Sequence, residues 1–296
     1  MLKEIFASGV SCSVRSPTQP QCSTPSIPKA SALLYFCPLL SFPFGSPPPS
    51  SPEMFTPLDF EQTFMIEGQI LGFCGPLFFS CCPELLPMNV VSNGTFGLVD
   101  TGQRKLLVTC SHVVADFDRE KAENPDFQIA VLLGAGYPVG LARSQLIDSD
   151  SRLDLATFDM EPVLSHCSER RFYRLDEHPA PTLKPRDILA FIGYTGESRS
   201  LDPMGANFGY QSFGLSVADV SGFQIAADVS DTTLLSDREG QTLPPSRSHG
   251  GISGAPCFQL TRKNVLRLAA FATEEGLGLV RMTHASRIRA DGTLAT

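Results

Sequence analysis

The chain has 296 residues, a net charge of −8, 42% hydrophobic and 18% charged residues. That balance belongs to a globular chain. Its acidic excess disfavours nucleic acid, whose phosphates are held by clustered Lys and Arg, and no apolar run reaches the ~18–20 residues a membrane-spanning helix needs. Residues 1–60 hold 11 Pro and 11 Ser. Proline removes backbone donors and blocks helix and central strand, so this segment is expected to be disordered. Met54 or Met65 is an alternative start. The apolar run 31–44 is broken by Pro38 and Pro43, follows Lys3, Arg15 and Lys29, and precedes no Ala-x-Ala site. A cytoplasmic location is expected, with secretion the alternative if this run is a signal peptide.

From about residue 61 to 296 one domain is expected. Residues 95–100 (TFGLVD) read as a strand, 101–103 as a turn and 105–110 (KLLVTC) as the return strand of a hairpin. Residues 127–133 are a further strand. Gly134, Gly136 and Gly140 are turn residues; a nucleotide-binding glycine loop needs a helix to follow, and Pro138 and the LAR segment do not open one. Residues 153–160 (LDLATFDM) form another strand, and 161–186, with four prolines, a connector. A second set of strands is predicted over 188–194, 206–217, 222–229, 255–260, 265–273 and 277–283. With 24 Gly and 24 Pro, short strands at this spacing indicate an all-β barrel or sandwich. The nine cysteines are an odd number and contain no CxxC pair. Free thiols in a reducing compartment are expected, and no structural metal.

Three segments carry the chemistry. VTCSHVV places His112 just past an apolar strand. DLA places Asp154 inside an apolar stretch, where an unpaired carboxylate is costly. HGGISGAPCF surrounds Ser253 with Gly250, Gly251 and Gly254, which let the backbone approach a ligand closely. Each segment alone is compatible with a structural role. Together they give the order His, Asp, Ser, with spacings of 42 and 99 residues, which is neither the subtilisin nor the α/β-hydrolase order.

Over roughly residues 90–290 the chain resembles the chymotrypsin-like (trypsin-like, PA clan) serine peptidases, most closely bacterial members. VTCSHVV is similar to the family's T-A-A-H-V block, DLATF to D-[IL]-A-[LV] and GGISGAP to G-[DN]-S-G-G-P. Residues 278–288 (GLVRMTHASRI) resemble its last strand and the entry to its C-terminal helix. The resemblance implies two six-stranded antiparallel β-barrels packed face to face, about 65–165 and 185–290, with the active site in the cleft between them. It implies a serine endopeptidase that forms an acyl-enzyme on a polypeptide substrate. His112, Asp154 and Ser253 would be the triad, and the N–H groups of Gly251 and Ser253 the oxyanion hole. No cofactor is expected, and neither nucleic acid nor a membrane as partner.

The departures are informative. Ile252 stands where digestive members carry the Asp that pairs with a freed N-terminus, so no zymogen cleavage is expected. Ala255 replaces a glycine and is tolerable if its φ is negative. Cys110 and Ser111, before His112, are expected to be small buried residues. Arg247, six residues before the nucleophile, sits at the floor of the primary pocket by this resemblance, where it would disfavour Lys and Arg substrates. Glu274 and Glu275, after the presumed pocket-wall strand, would neutralise it or attract basic substrates instead, and His249 and Thr273 are further substrate-contact candidates. An inactive protease-like binding module is the alternative from another class. An esterase using Ser253 and His284 lacks the last glycine of G-x-S-x-G.

Overall fold

The computed structural model describes residues 60–80, 93–134, 138–196, 199–202, 205–237, 250–261, 265–276 and 278–296. Helix α1 (Phe60–Leu71) leads into β1 (Cys74–Ser80). The hairpin β2 (Asn93–Asp100) and β3 (Lys105–Thr109) is followed by α2 (Ser111–Glu123), β4 (Gln128–Val131), β5 (Val139–Leu141), β6 (Leu146–Asp150) and β7 (Leu155–Asp159). After β8 (Tyr173–Arg174) come β9 (Ile188–Gly193), β10 (Arg199–Asp202), β11 (Gly205–Phe208), β12 (Gln211–Ser221), β13 (Gln224–Asp237), β14 (Pro256–Leu260), β15 (Leu266–Gly276) and β16 (Leu279–His284).

The strands form two main sheets. The second closes as a six-stranded antiparallel barrel, β12-β13-β16-β15-β14-β9. The first is a curled, open path of seven strands, β5-β4-β1-β2-β3-β7-β6, with β8 pairing parallel to β2. It therefore differs from the closed six-stranded barrel expected for the first half. No helix among the described residues is long and apolar enough to cross a membrane.

Strand periodicity explains how the sheets dock. Side chains alternate between the two faces of a strand. In β2, Phe96 and Leu98 fill the interior of the first sheet while Val99 joins a shared core. In β9, Leu189 and Phe191 fill the barrel while Ala190 and Ile192 face that same shared core. Phe258 and Phe271 anchor it from the barrel side. Strands at this junction are buried on both faces, which is why they read as continuous apolar runs rather than alternating ones. Gly97 permits the close approach: a Cβ there would lie 2.8 Å from Phe271 Cε1.

Two helices were not foreseen. In α2 the buried residues Val113, Val114 and Phe117 recur at helical spacing. In α1, Ile66 and Ile70 join the shared core, and the buried Glu67 accepts a hydrogen bond from Ser212 Oγ. Strands β4 and β5 pair antiparallel, which is not a strand–turn–helix unit; Gly140 is a residue of β5 paired with Ala130 rather than a turn residue, and Gly136 lies outside the described residues. The expected C-terminal helix is a single 3₁₀ turn, Ala285–Arg287. Beyond it the chain returns to the first sheet, where Thr157 Oγ1 donates to Gly292 O at 2.7 Å.

Candidate active site

His112 is the second residue of α2, and Asp154 lies directly ahead of β7. Asp154 is not a strand residue, as the apolar stretch suggested. It ends the turn 151–154 with φ 49°, a left-handed conformation that Asp tolerates better than most residues. The turn is fixed at both ends. Asp150 Oδ1 accepts from the N–H groups of Arg152 (2.7 Å) and Leu153 (3.1 Å). The buried Leu153 offers its carbonyl to Thr283 Oγ1 of the barrel at 2.6 Å.

So held, the Asp154 carboxylate collects three donors. Oδ1 accepts from Ser111 Oγ at 2.8 Å and from the His112 backbone N–H at 3.0 Å. Oδ2 lies 2.8 Å from His112 Nδ1. This pairing places the proton on Nδ1 and leaves Nε2 as the basic nitrogen of the neutral ring. The hydrogen bond to Asp154 raises the His112 pKa above the ordinary histidine value, against an opposing contribution from partial burial. The charges of Asp154, Asp116 and Glu274 add to the rise.

Ser253 sits in a turn between β13 and β14, and four of the turn's carbonyls are tied. Gly250 O accepts from Gly196 N (2.8 Å), Gly251 O from Thr95 Oγ1 (2.8 Å), Ile252 O from Ala255 N (2.9 Å) and Ser253 O from Thr95 N (2.9 Å). In a trans peptide the N–H points opposite to the preceding C=O. The N–H groups of Gly251 and Ser253 are thus directed away from these anchors, and neither donates to any described residue. Gly251 has φ +105°, and a Cβ on it would lie 2.5 Å from Tyr194 O. Ile252 is a buried apolar plug against Gly193. Ala255 is buried and is not among the positive-φ residues, which meets the condition set for it.

The Ser253 hydroxyl donates to Thr273 O at 3.3 Å. It makes no hydrogen bond to His112. Thr273 also lines a cleft of about 610 Å³ with Ser111, His112 and Asp154, whereas Ser253 and Gly251 are not among the residues that line it. The rest of that cleft mixes polar and apolar groups, among them Ser151, Arg152, Glu274, Arg281, Leu153 and Met282. Glu274 pairs with Arg281 at 3.2 Å. Arg247 and His249 lie outside the described residues, as does the Glu275 side chain.

Cys110 and Ser111 are buried, as expected. The role of Ser111 as a donor to Asp154 was not foreseen, and a hydroxyl beside a candidate histidine was its only signal in the sequence. Cys110, His112 and Asp154 present ligand-type atoms within 4.8 Å of one another. Burial, with the Asp154 charge adding to it, drives the Cys110 thiol pKa well up, and the thiol donates to Ala272 O at 3.2 Å. These groups therefore fit a protonated thiol better than a metal-bound thiolate. His284 is engaged elsewhere. Its Nε2 meets Pro181 O at 2.9 Å and its Nδ1 meets Ser286 Oγ at 2.7 Å, so it does not serve Ser253 as an esterase base. No family model matches the chain, and no curated protein matches it as a relative.

Proposed function

We propose that this protein is a serine endopeptidase of the two-barrel, trypsin-like type, with its open first sheet standing for the first barrel. The observation that carries the proposal is the Asp154–His112 pair beside a glycine turn whose two N–H groups are unpaired among the described residues. A serine hydroxyl is a poor nucleophile until a base removes its proton. Ser253 Oγ turns from Thr273 O toward His112 and attacks the peptide carbonyl, while Nε2 takes its proton. Asp154 keeps Nδ1 protonated and stabilises the imidazolium that forms. The carbonyl oxygen becomes an anion, which the N–H groups of Gly251 and Ser253 receive. His112 then returns the proton to the leaving amine, and water resolves the acyl-enzyme by the same route.

A second reading is favoured by one observation. Ser253 Oγ is engaged with Thr273 O rather than with His112, as suits a protease-like binding module without turnover. A fluorophosphonate probe on the full chain separates the two. The enzyme reading expects labelling of the wild type, none in Ser253→Ala and strongly reduced labelling in His112→Ala. Folded wild-type protein that stays unlabelled favours the binding module.

A further inference from the structure

We propose that Thr95 is a positioning residue that holds the anion-binding turn in its working conformation from the opposite sheet. The proposal rests on the peptidase reading above for its kinetic consequences.

Thr95 lies on β2 of the first sheet and is fully buried. Its hydrogen-bonding groups are all committed. The N–H donates to Ser253 O at 2.9 Å, and the C=O accepts from Thr109 Oγ1 at 3.0 Å. Oγ1 donates to Gly251 O at 2.8 Å and accepts from Tyr194 N at 3.0 Å. One side chain therefore joins the end of β9 to the glycine that supplies one proposed anion donor. Asn93, two residues earlier on the same strand, reinforces the link by donating from Nδ2 to Tyr194 O at 2.6 Å.

The need for this clamp follows from Gly251. Its φ of +105° is open to it only because it lacks a Cβ, and the same freedom lets the flanking peptides rotate. Rotation of the peptide before Gly251, which carries its N–H, swings that donor away from a substrate oxygen, and rotation of the peptide after it shifts the chain between the two donors. Ile252 contributes no charge to hold the turn. Gly196 N holds the peptide before Gly251, and the Thr95 hydroxyl holds the peptide after it. Removing that hydroxyl leaves the partly buried Gly251 O and the buried Tyr194 N without their partner, and such groups move to find others.

The test compares Thr95→Val, which keeps the shape, with Thr95→Ser, which keeps the hydroxyl. Active sites are titrated with a fluorophosphonate, so that turnover is counted per competent site. Thr95→Val is expected to lower kcat per titrated site about 10- to 100-fold with KM within about threefold. It also weakens a peptidyl aldehyde, whose tetrahedral adduct carries the anion, by a similar factor. Thr95→Ser restores both. An unchanged kcat per site in Thr95→Val, with only a lower melting temperature, overturns the proposal. If the wild type neither labels nor cleaves, the peptidase reading fails, and crystal structures of wild type and Thr95→Val decide this proposal separately. A rotated Gly251–Ile252 peptide with a redirected Gly251 N–H in the variant supports the clamp, and an unmoved Gly251 N–H overturns it.

Discussion

Asp154→Asn is expected to lower turnover by about 10⁴-fold while the protein remains folded. Asparagine tolerates the left-handed φ of 49° that this position requires. Its carbonyl oxygen can still accept from Ser111 Oγ and the His112 N–H. What changes is the atom facing Nδ1: an amide NH₂ donates where the carboxylate accepted, so the ring takes the opposite tautomer and Nε2 is no longer the free base. The pH dependence supplies an independent check. In the wild type the acid limb of kcat/KM lies above the ordinary histidine value of about 6.5, because Asp154 raises His112. In the variant, the His112 titration followed by NMR moves down. The stability linked to this raised pKa is full below about pH 6.5 and fades as pH climbs through the folded-state value. The melting-temperature gap between wild type and variant therefore narrows on the alkaline side. Near-normal turnover with an unmoved His112 titration removes Asp154 from the site.

Gly254→Ala is expected to be among the most destabilising single substitutions in the chain. Gly254 has φ +90°, and a Cβ on it would overlap Thr95 O and lie 2.7 Å from Thr109 Oγ1. Thr95 O is a backbone atom of the docked sheet and cannot swing aside as a flexible side chain can. Left-handed strain of about 1–3 kcal/mol and overpacking of about 1–3 kcal/mol together correspond to a loss of at least ~4 °C in Tm for a domain of this size. Gly276→Ala is the control, since a Cβ there meets nothing within 4 Å. Equal melting temperatures for the two variants would contradict the packing described for this turn.

Local patterns revealed the parts of the fold that local forces set. The β2–β3 hairpin, most strands of the closed barrel and the glycine turn around Ser253 were legible from short apolar runs and turn residues, but the strand read over 206–217 is two, β11 and β12, in different sheets. Helix α2 was not. Its buried face, Val113, Val114 and Phe117, begins inside the histidine motif and continues the apolar character of β3. Its four-residue repeat is masked by the strand before it. Asp154 read as a strand residue because Leu153 and Leu155 flank it. Its turn conformation depends on the Asp150 carboxylate and on Thr283, 130 positions beyond Leu153. Thr95 was equally silent. A threonine in a strand is ordinary, and its partners lie 99 and 156 positions away. Long-range hydrogen bonds that arise only when two sheets dock leave no periodic trace in one chain. The first sheet stays open because β5 and β6, at the two ends of its path, do not pair with each other, which no single segment encodes.

The most direct test of the proposed triad is a crystal structure of the protein after reaction with a peptidyl phosphonate. We expect the phosphorus on Ser253 Oγ, and His112 Nε2 within about 3.2 Å of that oxygen. Asp154 should remain against Nδ1, and the phosphonyl oxygen should lie about 2.7–3.1 Å from the N–H groups of Gly251 and Ser253. Phosphorus on any other residue, or His112 more than about twice that distance from Ser253 Oγ in the adduct, would contradict the account.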